Sequence, residues 1–170
     1  MPEHFSTLIR QFEDAIILAW VEELYADRRT ELPKLLSYGQ LVNHMPDLLA
    51  ELAHVLDGLA SDEEIMEAAK RLRSHAQVRF QQGALIDEVA RELMLFRKVF
   101  DDFMWREGMS ATGRDLWRLR VALRLASRFI DEVIVQSLVV YAMSLRPPVE
   151  TRTSIWPPQR RRTDFPQSSD

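Results

Sequence analysis

HAQVRFQQGALIDEVARELMLFR, residues 75–97, decides how the rest of this chain is read. His75 and Arg79 stand one helical turn apart and share a face. Gly83 then interrupts the run. Beyond it Leu85, Val89, Leu93 and Phe96 recur with helical period, continued by Phe100 and Phe103. A glycine at the end of one helix supplies the left-handed backbone that closes it, and lets the next helix fold back. The stretch therefore predicts two antiparallel helices joined at Gly83.

Working outward, the same pattern continues. Ser61 followed by Glu64 marks a capped start, and Ile65, Ala69, Leu72 and Ala76 carry one inner face through a single helix up to Phe80. Residues 40–60 place Leu48, Leu52, Val55 and Leu59 on one side, with Pro46 separating a short leading turn from that helix. Leu32 to Tyr38 is a connector whose Pro33 suits a first helical turn. The first helix has Ser6 as its expected cap and Ile9, Phe12, Ile16, Ala19 and Leu24 as its stripe, with Trp20 beside them. Downstream, residues 107–115 read as a loop. A long last helix then runs from about Asp115 to Leu145 through Leu116, Leu119, Leu123, Ala126, Ile130, Val133, Ser137 and Tyr141. No segment alternates as a strand does, and no repeat is present. The expected fold is all-α, a globin-like bundle of about five main helices over residues 1–146.

Residues 147–170 form a Pro/Arg-rich tail. From Arg146 onward lie five of the eight prolines and no apolar period, so disorder is expected there. Truncation after Pro147 should leave the thermal midpoint unchanged; a large fall would show that Trp156 or Phe165 docks on the body.

Composition narrows the function classes. The 46% hydrophobic and 28% charged content is that of an ordinary globular protein. With no cysteine there is no disulfide, thiol nucleophile or zinc–thiolate site. Five glycines argue against phosphate-cradling loops. The net charge is −4; residues 146–170 hold five arginines against three acids, leaving −6 on residues 1–145, a poor platform for nucleic acid. The Arg160–Arg162 run reads as a solvated tail. The first residues lack the basic and apolar regions of a secretory signal, and no apolar run has the length of a membrane span. A cytoplasmic protein is the simplest expectation.

No catalytic motif, metal-ligand spacing or cofactor box is found, so the expectation is a non-enzymatic domain with neither metal nor cofactor. His75 keeps three readings: a hydrogen-bonded histidine at the border of the core, a phosphoryl acceptor on a helical bundle, or a haem axial ligand, a role also open to His44. A phosphotransfer domain commonly has a basic residue three positions after its histidine and a small one next; here Val78 and Arg79 stand there. His54 lies off its stripe and His4 is terminal. Glu92 and Arg97 flank the apolar stripe of their helix; Glu92 with His75 and Arg79 forms a candidate polar cluster between neighbouring helices, with Arg97 nearby or paired separately. The aromatics Trp20, Phe96, Phe100, Phe103, Trp105 and Trp117 read as core rather than as a cofactor cavity.

The quoted stretch resembles the N-terminal sensor domain of the RsbRD type, found in stressosome co-antagonists and as an input domain of bacterial sensor histidine kinases. The family pattern falls on His75, Arg79, Gly83, Glu92 and Arg97. LVNHMPDLLAELAHVL (41–56) is similar to its helix opening with proline and paired leucines, and Trp20 to a tryptophan common in its first helix. The resemblance covers about residues 5–145. It implies a globin-like fold, generally without haem, working as a dimeric signal-input module. Nothing after residue 145 resembles a kinase or output domain, so the chain would act through a partner, a sensor kinase or stressosome-type protein. Apolar surplus on the first and last helices, Ile17 and Leu18 on one and Val135, Val139 and Val140 on the other, points to a homodimer interface.

Overall fold

A computed structural model describes residues 4–145; the expected tail lies outside the described residues. The described chain is an all-α bundle without strands. Its elements are α1 (Phe5–Ala26), α2 (Leu32–Leu35), α3 (Tyr38–Val42), α4 (Met45–Asp57), α5 (Asp62–Arg71), α6 (Arg73–Gln81), α7 (Ile86–Phe103), a π-helical turn (Met104–Gly108), α8 (Met109–Ala111) and α9 (Leu116–Ser144). α9 is the spine: α5, α6, α7 and α4 all pack against it, while α1 closes the other side over α4 and α7. No described helix is long and apolar enough to cross a membrane.

Local signals set most of the helix ends. Ser61 and Glu64 form the expected capping box at the start of α5, and Ser37 with Gln40 forms another on α3. Pro33 and Pro46 both sit in first turns, where the missing N–H costs nothing. Asp115 caps α9, accepting from the backbone N–H of Trp117 at 2.9 Å and Arg118 at 3.2 Å.

The start of α1 is different. Ser6 lies inside the helix, and the Asp57 carboxylate at the end of α4 accepts from the Phe5 and Ser6 amides at 2.7 and 3.0 Å. A carboxylate at the positive end of a helix dipole does the work of a local cap, here from 52 residues away.

Other expectations change as well. The single helix expected over 61–80 breaks at Leu72, whose ψ of 7° leaves the α region, giving α5 and α6. Residues 107–115 are not all loop: the helical path continues from α7 through the π turn to Ala111. Gly108 has a packing role there, because a Cβ would meet the Leu119 side chain of α9 at 3.1 Å. Leu59, Leu85 and Leu116, placed on apolar stripes by period, are exposed at helix ends, and Trp105 and Trp117, read as core, are exposed as well. Val140 belongs to this chain's own core, and Ile17 and Val139 are partly covered. Of the residues expected at a dimer face, Leu18 and Val135 stand exposed.

Gly83 does what its position requires. Its φ is +85°, its N–H donates to the Phe80 carbonyl at 3.1 Å, and the Ala84 N–H donates to the Arg79 carbonyl at 3.0 Å. This is the Schellman closure of α6. Open space surrounds the missing Cβ, so a substitution is penalised by backbone strain alone. Gly83→Val should lose about 1–2 kcal/mol in urea denaturation; an unchanged midpoint would show the turn tolerating a side chain. The Tyr141 hydroxyl donates to the Ala84 carbonyl at 2.6 Å, fastening this turn to α9. Burial, with the negative charge of Glu92 adding to it, pushes that phenol up to about 12.

α4 closes by the same bonds, Leu59 N–H to Leu56 and Ala60 N–H to Val55, but with a leucine at φ +47°. Leu59 is 66% exposed, so its side chain returns little for the strain. Leu59→Gly should therefore raise stability by about 0.5–1 kcal/mol, read as a higher thermal midpoint. A lower midpoint would mean that the Leu59 side chain contributes more than its exposure implies.

Candidate functional site

The Gly83 turn returns α7 antiparallel to α6 and brings Glu92 against His75 and Arg79. Arg79 is 0% exposed and Glu92 1%. A buried charge of this kind is costly unless every polar valence is met. Here they are met. Arg79 Nε donates to Glu92 Oε1 at 3.0 Å and Oε2 at 3.2 Å, and Nη2 donates to Oε2 at 3.1 Å. The remaining donors go from Nη2 to the Leu41 carbonyl at 3.1 Å, and from Nη1 to the Gln40 carbonyl at 3.0 Å and Gln82 Oε1 at 2.9 Å. All five guanidinium protons have acceptors.

Two of those acceptors are the open carbonyls at the end of α3. A five-residue helix has few internal bonds, and its last carbonyls face outward with partial negative charge. Arg79 thus closes α3 and neutralises Glu92 at once. On the other side Trp20 of α1 donates its indole N–H to the backbone carbonyl of Glu92 at 3.0 Å.

His75 completes the cluster, with Nε2 at 2.8 Å from Glu92 Oε1. An ionised carboxylate only accepts, so Nε2 carries the proton. Burial pushes the Glu92 carboxyl up, but the charges and hydrogen bonds of His75 and Arg79 outweigh it and hold the group below the usual carboxylate range. The other ring nitrogen, Nδ1, is buried and has no partner among the described residues. The His44 ring meets His75 edge-on, centroids 5.1 Å apart. Burial lowers His44 below the usual imidazole range; His75 and Arg79 add to this, against the opposing pull of Glu92 and Asp47.

His44, Leu72 and His75 form a wall between two spaces. Inside is an apolar cavity of about 20 Å³, bounded also by Trp20, Phe96 and Val133 and roomy enough for about one water. Outside is a surface cleft of about 170 Å³ reached by Asp47, Arg71 and Ser74. Nδ1 of His75 is the one side-chain nitrogen of the His75–Arg79–Glu92 cluster without a hydrogen-bond partner among the described residues.

Of the four candidate residues, His75, Arg79 and Glu92 converge, and Arg97, expected nearby or paired separately, is paired separately. Arg97 pairs with Asp131 of α9 on the exposed side of α7. Five positions along a helix amount to about 140° around it, so Glu92 and Arg97 face different ways. His44 and the α3 carbonyls were not anticipated. Their contacts cross 31 and more positions of chain, and no local pattern announces them. Gln82, three residues after Arg79, was within reach of helix spacing.

Fold and site together define the class: an all-α bundle organised round a buried His–Glu–Arg cluster beside a small cavity. In comparisons with protein-family models, curated proteins and solved structures, the chain finds no match.

Proposed function

We propose that this chain is a non-enzymatic signal-input domain, working as a dimer whose arrangement shifts when a small ligand or a partner engages the His44/His75 wall. The observation that carries the reading is His75 itself: one nitrogen is fixed by a buried carboxylate, the other is buried without a partner among the described residues, and the residue borders both a cavity and a surface cleft. Because the same cluster ties together α3, α6 and α7, a ligand or partner that displaces the His44/His75 wall acts on three elements at once. A ligand shifts a conformational equilibrium only by its differential affinity for the two states, and this wall is where such a difference would arise. The resemblance of His75, Arg79, Gly83 and Glu92 to the RsbRD-type sensor pattern supports a globin-like input module serving a sensor kinase or stressosome-type partner, in bacterial stress signalling in the cytoplasm.

The two competing roles of His75 fit the geometry less well. A phosphoryl acceptor needs an accessible imidazole, and this one is 9% exposed with Nε2 committed to Glu92. A porphyrin needs far more room than a single water, and the helices would have to part to admit it.

Sedimentation velocity tests the reading. The wild type should be dimeric at micromolar concentration, and His75→Ala should remain folded while changing the dimer dissociation constant at least about threefold. A wild-type monomer, a dimer indifferent to His75, or phosphohistidine at position 75 after incubation with a phosphorylated receiver would each overturn it.

A further inference from the structure

Residues 1–145 carry −6, yet residues 114–128, opening α9, hold five arginines and a single acid, Asp115. Arg120, Arg124 and Arg128 recur every fourth residue and form one ridge with steps of about 6 Å. They line a groove of about 390 Å³ together with Trp105 and Leu123, with Asp101 at its edge. Arg128 is paired with Asp62. Arg120 lies over the Trp117 ring, 5.8 Å from its centroid, and neither it nor Arg124 has an ion-pair partner among the described residues.

The aromatic groups beside this ridge are out of place on a free surface. Trp105 is 58% and Trp117 66% exposed, with Leu116 next to Trp117. Trp and Arg are the residue types that dominate binding energy at protein interfaces. Unpaired guanidiniums at helical spacing over an apolar floor call for carboxylates at the same spacing with apolar groups beside them.

We infer that this face docks an acidic amphipathic helix of a partner protein, its carboxylates at i and i+4 pairing with Arg120 and Arg124 and its apolar side chains on Trp105 and Leu123. The inference rests on the reading of the chain as a domain that acts through a partner, and it names that partner's chemistry. A helix fits because its i, i+4 repeat equals that of the arginine ridge. A nucleic-acid backbone fits less well, since Asp62 and Asp101 stand at the groove and the surrounding body is acidic.

The test uses the full chain and a fluorescein-labelled 20-residue helical peptide with glutamates at i and i+4 and leucines on the adjacent face, followed by anisotropy. Binding should weaken as salt is raised. Arg120→Glu/Arg124→Glu should weaken it at least about tenfold, while Arg10→Glu/Arg28→Glu, the same charge change elsewhere, should alter it less than about twofold. Circular dichroism should show both variants folded. Equal binding by the ridge variant, or tighter binding of single-stranded DNA or anionic vesicles through the same arginines, would overturn the inference. So would sedimentation showing that the ridge variant converts a wild-type dimer to monomer, because the occupant would then be a second copy. The ridge is exposed and separate from the His75 cluster, so failure here is distinguishable from failure of the regulatory reading.

Discussion

Arg79→Ala is expected to lower the unfolding free energy by about 3–5 kcal/mol in chemical denaturation, because it leaves a buried carboxylate without its principal counter-charge. The loss is large against the roughly 5–15 kcal/mol total of an ordinary domain. It is also larger than a surface ion pair would give. Arg79 and Glu92 are sealed from water, and removing the guanidinium orphans the carbonyls of Gln40 and Leu41 as well as the carboxylate. Arg79→Lys, which keeps the charge but not the fork, should fall between wild type and alanine. A double-mutant cycle with Glu92→Ala should give a coupling of about 1–3 kcal/mol. Losses below about 1 kcal/mol with additive effects would mean that the cluster opens readily to water.

The pH dependence of the same cluster has a definite sign. Glu92 is held below the 4.5 of a free glutamate, so the unfolded chain binds the extra proton first as acid is added. Its contribution is complete above about 4.5 and is lost as the pH falls through the folded value. His44 is lowered from 6.5 and acts with the same sign, its contribution beginning to fade as the pH drops below 6.5. Stability should therefore decline in two stages on acidification, and His44→Gln should remove the upper one. A single stage in both proteins would show that His44 is solvated.

Trp20→Ala should cost about 3–5 kcal/mol, the range for emptying a large aromatic site. Trp20 is 1% exposed, borders the cavity beside His75, and holds the Glu92 carbonyl through its indole N–H. Its removal enlarges an existing cavity and loosens the backbone that carries the buried carboxylate. Trp20→Phe, which keeps an aromatic ring and loses the donor, should cost about 1–2 kcal/mol. Urea denaturation with an unchanged m-value checks both; a loss under about 1.5 kcal/mol for alanine would show that α1 collapses into the space.

The sequence by itself determined whatever depends on neighbours within about one turn. The helical period of Val89, Leu93 and Phe96 placed the inner face of α7. Ser61 with Glu64 marked the start of α5, and Gly83 marked a turn that only a residue free to take positive φ closes without strain. Once that turn was recognised, the meeting of His75, Arg79 and Glu92 followed, because α6 and α7 must return side by side. Spacing also separates Arg97 from Glu92, since five residues turn a helix well past its own flank. Only the assembled fold decided between the two outcomes left open for Arg97 and gave it Asp131 as its partner. Tertiary structure alone decided the rest. Asp57 caps α1 across 52 residues, and Arg79 closes the end of α3 across 38 and 39. The break at Leu72, the edge contact of His44 with His75, and the burial of Val140 inside its own chain were settled in the same way. Each depends on which orphaned carbonyl, amide or apolar face another element covers, and a charged group enters the interior only where the assembled fold supplies all of its partners.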